Sequence, residues 1–155
     1  MKNLVNLLKK TNKTISSMES CTGGLLANEI TNINGSSLVF KLGLVTYSNE
    51  FKMYFGVSKD TIDKYSVYSK EVADEMAFIV SSISKSDYGV GITGQLGAKD
   101  PNNDFDNINL VFVSIYEKEK NKYYSFNINP VGASRIEKKI CVVNFVKEKL
   151  YEICK

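Results

Sequence analysis

Residues 14–33 read TISSMESCTGGLLANEITNI. Thr14 to Glu19 has the character of a strand, and Thr22 to Ile33 that of a helix opened by Gly23 and Gly24. A strand that runs straight into a helix is the building unit of α/β domains. The same alternation continues on both sides. Residues 3–11 form a short amphipathic helix with Leu4, Leu7 and Leu8 on one face. Leu38 to Ser48 is a second strand, and Asn49 to Phe55 a short helix. Ser69 to Ser84 places Val72, Met76, Ile79, Val80 and Ile83 at helical spacing, and Tyr88 to Thr93 reads as a buried strand. Ile108 to Tyr116 and Tyr123 to Ile128 form a hairpin with charged residues at its turn. A last helix carries the stripe Ile136, Ile140, Val143, Val146, Leu150 and Ile153. The expected fold is a three-layer α/β/α sandwich with a mixed sheet of about five or six strands. The length of 155 residues fits one domain.

Composition removes several function classes. The chain has no His, which excludes Ser-His-Asp and Cys-His catalysis and every His-metal site. A catalytic base must then be Lys, Tyr, Cys or a carboxylate. Three Cys at 21, 141 and 154, without a CxxC pair, fit free thiols in a reducing cytoplasm and no zinc site. Twenty basic and 17 acidic residues give a net charge of +3, and Arg135 is the one arginine, so no nucleic-acid partner is expected. No apolar run approaches the ~20 residues of a membrane span, and MKNLVNLLKK is too interrupted for a signal peptide.

Three polar segments fall at strand ends, where open α/β sheets bind ligands. In MESCTGG, the amides of Thr22, Gly23 and Gly24 would emerge from a helix N-terminus, suited to an anion or a developing oxyanion. Ser20 or Thr22 fits a simple helix cap equally well. Cys21, at the same terminus, is open to a second reading as a nucleophilic thiol of depressed pKa, or to burial as a small hydrophobe. In VTYSNEFK, Asn49 reads as the N-cap, which puts Lys52 in the first turn. The positive end of the dipole would there lower its pKa, as a general base requires, although a solvated lysine is the plainer alternative. Tyr47 suits either a proton relay or a half-buried strand position. GITGQLG adds Thr93, Gly94 and further amides, and reads equally as a Gly-rich turn. Residues 94–107 form a long connection rich in Gly, Asn and Asp.

Taken together and in order, these segments resemble the C-terminal domain of the CinA family, which includes stand-alone nicotinamide-nucleotide amidases. The matches are Glu19–Gly24, Gly35–Ser37, Val45–Glu50 with Lys52, Gly56–Val57, Ser69–Ala77 and Gly91–Gly94. The resemblance covers nearly the whole chain. It implies a Ser–Lys amidohydrolase that converts nicotinamide mononucleotide and water to nicotinate mononucleotide and ammonia. Ser20 falls on the family's nucleophile and Lys52 on its catalytic lysine, with Tyr47 as an assistant in proton transfer. Cys21, Thr22, Gly23, Gly24, Thr46, Ser48, Asn49, Thr93, Gly94 and Arg135 fall on the oxyanion and substrate side. The implied partner is a small nucleotide substrate, with no metal or redox cofactor and no membrane. A twofold homo-oligomer is the default assembly for a small enzyme of this kind.

The chain also departs from the family pattern. The Gly-Pro-Gly-Gly loop is replaced by GAKDPNNDFDN, and the later Pro-Val-Gly is absent. Arg135 stands one position late, and Lys139 takes the place of a second arginine. The Ser-Glu pair at the start of the helix after Tyr68 is Ser69-Lys70. These changes spare Ser20 and Lys52 and fall on segments expected to shape the pocket. A catalytically silent or altered-specificity nucleotide-binding module of the same fold is therefore the alternative reading.

Overall fold

The computed structural model describes residues 1–155. Five strands form one sheet in the order β2-β1-β3-β4-β5. They are β1 (Ile15–Glu19), β2 (Phe40–Val45), β3 (Tyr88–Gly94), β4 (Val111–Glu117) and β5 (Lys122–Ile128). β1 runs parallel to both β2 and β3, while β3–β4 and β4–β5 are antiparallel. The sheet is therefore mixed. Helices α1 (Lys2–Lys10), α2 (Leu25–Thr31) and α6 (Arg135–Cys154) cover one face, and α3 (Asn49–Tyr54), α4 (Lys59–Tyr65) and α5 (Lys70–Ser84) belong to the other side.

Period-two alternation decides what each layer receives. Along β1, Ile15 joins the core shared with Leu8, Val143 and Val146 of α1 and α6. Met18 joins the opposite core with Val72, Met76 and Val80 of α5. All five residues of β1 are buried, so its carboxyl end delivers Glu19 and Ser20 into the interior.

Helix α5 lies almost in contact with the strand beneath it. A Cβ added at Gly89 would stand 2.0 Å from the Ala77 carbonyl oxygen, and one at Gly91 would stand 2.2 Å from that of Ala73. Small residues on both surfaces permit this approach. The buried stripe of α5 accordingly runs through Val72, Ala73, Met76, Ala77 and Val80, and Ile83 of the expected stripe is 52% exposed. Replacing Gly91 by Ala is expected to cost ~3 kcal/mol or more, because backbone and not a flexible side chain must move. Chemical denaturation of the variant measures this, and an unchanged midpoint would contradict the close packing.

Five further features depart from the sequence reading. α2 begins at Leu25 and not Thr22, because Gly23 (φ 62°) and Gly24 (φ 90°) are left-handed. β2 is shorter than Leu38 to Ser48; Leu38 sits in a 3-10 turn and is 70% exposed. β4 starts at Val111, leaving Ile108 in the preceding connection. Helix α4 carries no apolar stripe to detect and buries no residue. On α6 the buried residues are Val142, Val143, Val146, Leu150 and Cys154, whereas Ile136 and Ile140 stay substantially exposed.

Candidate active site

Beyond Glu19, β1 is still held by both neighbours. Thr46 N–H donates to the Glu19 carbonyl at 2.9 Å, and Ser20 N–H donates to that of Ile92 at 3.0 Å. Ser20 thus sits on a fixed turn, with 6% of its surface exposed. The N-terminus of α2 is not free for a ligand. The Glu19 carboxylate accepts from Leu26 N–H at 3.1 Å, from Ala27 N–H at 2.9 Å and from the Thr22 hydroxyl at 2.7 Å. A buried anion therefore caps the helix from within. Gly23 N–H is also occupied, donating to the Ser20 carbonyl at 2.9 Å. The expected row of amides reduces to those of Cys21, Thr22 and Gly24, which donate to no other residue. Glu19 escaped the sequence reading as a functional residue. Its signal was an acidic residue inside a strand of otherwise small and apolar character, just before a Gly-Gly turn.

Lys52 lies beneath Ser20. The N-cap of α3 is Ser48, whose hydroxyl accepts from Phe51 N–H at 3.3 Å, rather than Asn49. Lys52 is 2% exposed, and its Nζ donates to Ser20 Oγ at 3.0 Å and to the Thr46 carbonyl at 2.8 Å. Neither partner is charged. Burial lowers the Lys52 pKa to about 8, against the pull of the Asp100 carboxylate. The cause is desolvation, not the helix dipole expected from sequence. The arrangement gives a hydroxyl in contact with an amine that is partly neutral near pH 7, which is the requirement for an activated nucleophile without histidine.

Ser20 opens into a cavity of about 530 Å³. Cys21, Tyr47, Ser48, Asn49, Gly94 and Arg135 line it as well. Tyr47 is 63% exposed, and its hydroxyl accepts from Arg135 Nη2 at 3.2 Å; it bonds to neither Ser20 nor Lys52. Thr46 contributes its carbonyl to Lys52, while its own hydroxyl is buried without a partner. Thr93 is turned away from this role, because its hydroxyl donates to the Val67 carbonyl at 2.9 Å. Cys21 is buried, and burial pushes its thiol up to about 12 despite the nearby charges of Arg135 and Lys52. The depressed pKa considered for a reactive thiol is thus reversed.

Two lysines on α6 escaped the sequence reading as a pair. A Cβ at Gly23 would meet Lys139 Nζ at 3.1 Å, and one at Gly97 would meet Lys138 Nζ at 2.6 Å. Both ammonium groups therefore rest over glycines of the two loops that flank Ser20, on the same helix end as Arg135. Their signal was the i, i+3, i+4 spacing of Arg135, Lys138 and Lys139 at the start of a helix.

No helix is long and apolar enough to cross a membrane. Comparison with known proteins places this arrangement in a family. The CinA C-terminal domain model matches residues 1–150. A CinA-like protein of Endomicrobium trichonymphae is 42% identical over 129 residues, which are 79% of this chain and 29% of that protein. A CinA-like protein of Kosmotoga olearia is 48% identical over 95 residues, 61% of this chain and 23% of that protein. The chain thus spans less than a third of the length of these relatives. Among solved structures, a competence or damage-inducible protein from Enterobacter asburiae has the same fold, with a TM-score of 0.91 at 22% identity, covering 99% of this chain and 95% of that one. The competence/damage inducible protein CihA from Agrobacterium tumefaciens gives a TM-score of 0.89 at 26% identity, covering 99% and 92%. With the family model spanning nearly every residue, the chain belongs to the CinA C-terminal domain family.

Proposed function

We propose that this chain is an amidohydrolase of Ser–Lys type whose substrate is nicotinamide mononucleotide. The observation that carries the reading is the 3.0 Å contact of a buried, uncompensated Lys52 with Ser20 at the floor of the cavity. Neutral Lys52 takes the Ser20 proton as Oγ attacks the carboxamide carbon. The negative charge that develops on the carboxamide oxygen meets the free amides of the Cys21–Gly24 turn. The lysine then returns its proton to the departing nitrogen, and ammonia leaves. Water attacks the Ser20 ester with Lys52 again as base, releasing the nicotinate nucleotide and restoring both groups. The Thr46 carbonyl holds Nζ in line throughout.

The cavity suits a nucleotide in size, within the ~300–1,000 Å³ of small-molecule sites. Arg135, which lines the cavity, supplies a cationic partner for a phosphate, with Lys138 and Lys139 on the same end of α6. Tyr47, braced by Arg135, acts here as a wall for the nucleotide rather than as a proton relay. Both faces of the sheet are covered by helices from within the chain, which supports residues 1–155 acting as one catalytic unit.

The test is ammonia release from nicotinamide mononucleotide, followed by enzymatic detection, with nicotinate mononucleotide identified as the second product. Release establishes the reading. Binding of the nucleotide without release would favour the silent module, and absence of both would discard the substrate. Replacing Cys21 by Ala is expected to leave kcat within about threefold, because a thiol with a pKa of about 12 offers no thiolate at neutral pH. A loss of ~10³-fold in that variant would move the nucleophile to Cys21.

A further inference from the structure

The connection between β3 and β4 carries a second set of polar groups that the bond-breaking step does not use. Gln95 follows β3 directly, lines the cavity and is 3% exposed. Its Oε1 accepts from Asp100 N–H at 3.2 Å, which fixes the orientation of the amide. Its Nε2 is then a buried donor without a partner. Buried donors in native folds are nearly always satisfied, so this one calls for an acceptor that the protein does not supply.

Asp100 lines the same cavity. Its carboxylate accepts from the Tyr68 hydroxyl, from Asn103 Nδ2 at 2.6 Å and from Asn102 N–H at 2.8 Å. Asn103 in turn accepts from Asn49 Nδ2 of α3 at 2.6 Å. The carboxylate is thereby tied to α3 and to the start of α5. Burial alone would raise its pKa, but the hydrogen bonds from Tyr68 and Asn103 and the charge of Lys52 hold it below the usual range. Asp100 is therefore an anion at neutral pH, close enough to the catalytic pair that it and Lys52 feel each other's charge.

We infer that Gln95 and Asp100 form an amide-selecting pair, a donor for a carbonyl oxygen beside a fixed anion. The inference rests on reading the cavity as an amidase site and adds what that site discriminates. A primary carboxamide offers one acceptor oxygen and two N–H donors, whereas a carboxylate offers acceptors and a negative charge only. Nε2 of Gln95 meets the carbonyl oxygen of the bound, unreacted amide, the same oxygen that the Cys21–Gly24 amides receive as charge develops. Asp100 has one of its roughly four lone-pair positions left for the amide N–H, and its charge repels a carboxylate. The acid that hydrolysis leaves behind is thus the poorer ligand, and the pair favours its departure. Neither residue makes or breaks a bond; both set specificity.

Calorimetric titration of the Ser20→Ala protein tests this without turnover. The ligands are amide–acid pairs: nicotinamide and nicotinate mononucleotides, nicotinamide and nicotinate, glutamine and glutamate. The expected result is at least one pair in which the amide binds about tenfold or more tighter than the acid. Adding Asp100→Asn should bring that ratio below about threefold, chiefly by tightening the acid. Adding Gln95→Leu should weaken the amide about fivefold or more with the melting temperature little changed, since an unpaired buried donor is removed together with the acceptor of Asp100 N–H. A ratio that Asp100→Asn does not move, or a panel without amide preference, overturns the inference. If the nucleotides fail to bind while another pair shows an Asp100-dependent preference, the selector stands and the nucleotide substrate falls.

Discussion

Ser20→Ala is expected to reduce turnover by ~10³-fold or more, with the fold retained. The hydroxyl supplies the only nucleophile that the buried amine touches, since its other partner is the backbone carbonyl of Thr46. The backbone of the turn does not depend on that hydroxyl. It is held by Ser20 N–H on Ile92 and by the Glu19 carboxylate beneath α2. Stability should therefore change by only ~1 kcal/mol, the usual net worth of one hydrogen bond. Ammonia release and a thermal melt on the same preparation separate the two effects. Turnover surviving within tenfold would transfer the chemistry elsewhere. A collapsed melt would instead assign Ser20 a structural role.

The second large effect concerns Lys52→Met, which should lower kcat by ~10²–10⁴-fold and yet not destabilise the protein at pH 7. In the folded chain the Lys52 pKa is about 8, against an ordinary value of 10.5. Between those two values the unfolded chain binds more protons than the folded one. Stability therefore rises with pH through this window, and below it the full penalty of burying the charge is present, ~3 kcal/mol. Methionine keeps the length and removes the charge. It also leaves the Thr46 carbonyl without its lysine partner, which costs ~1–3 kcal/mol. The melting temperature at pH 7 should be equal to or above that of the wild type, and any advantage should vanish toward pH 10.5. The same ionisation gives wild-type kcat/KM a rise up to about pH 8 and a plateau above it. A variant that melts well below wild type at pH 7, or a flat pH profile, would contradict a buried and uncompensated amine.

The sequence allowed the layers to be read because their signals are local. The apolar stripe of α5, the strand at Tyr88–Gly94 and the hairpin partners each follow from periodicity within a dozen residues. The Ser20 and Lys52 pairing was legible only through the resemblance to the family, since 32 residues separate them and nothing local brings them together. What stayed hidden was decided across elements. Glu19 reads as an odd strand residue until the turn folds α2 back over its carboxylate. The expected dipole on Lys52 gave way to desolvation, because Lys52 falls in the last turn of α3 and its side chain is buried. Ile136 and Ile140 fit a helical stripe, yet α6 turns Val142, Val143 and Val146 to the core instead. Thr93 sits in a motif aimed at the cavity, but strand alternation turns its side chain to Val67.

The two duties of the cavity rest on separate stretches of chain. Ser20 and Lys52 are held by β1, α3 and the Thr46 carbonyl, whereas Gln95 and Asp100 ride on the crossing from β3 to β4. That crossing hangs between strand ends fixed by Gln95 N–H on Leu110 and by the β3–β4 ladder. Insertions and replacements there leave the sheet register intact. A lineage can thus alter which molecules are admitted through Gln95 and Asp100 while β1 and α3 keep Ser20 and Lys52 in place.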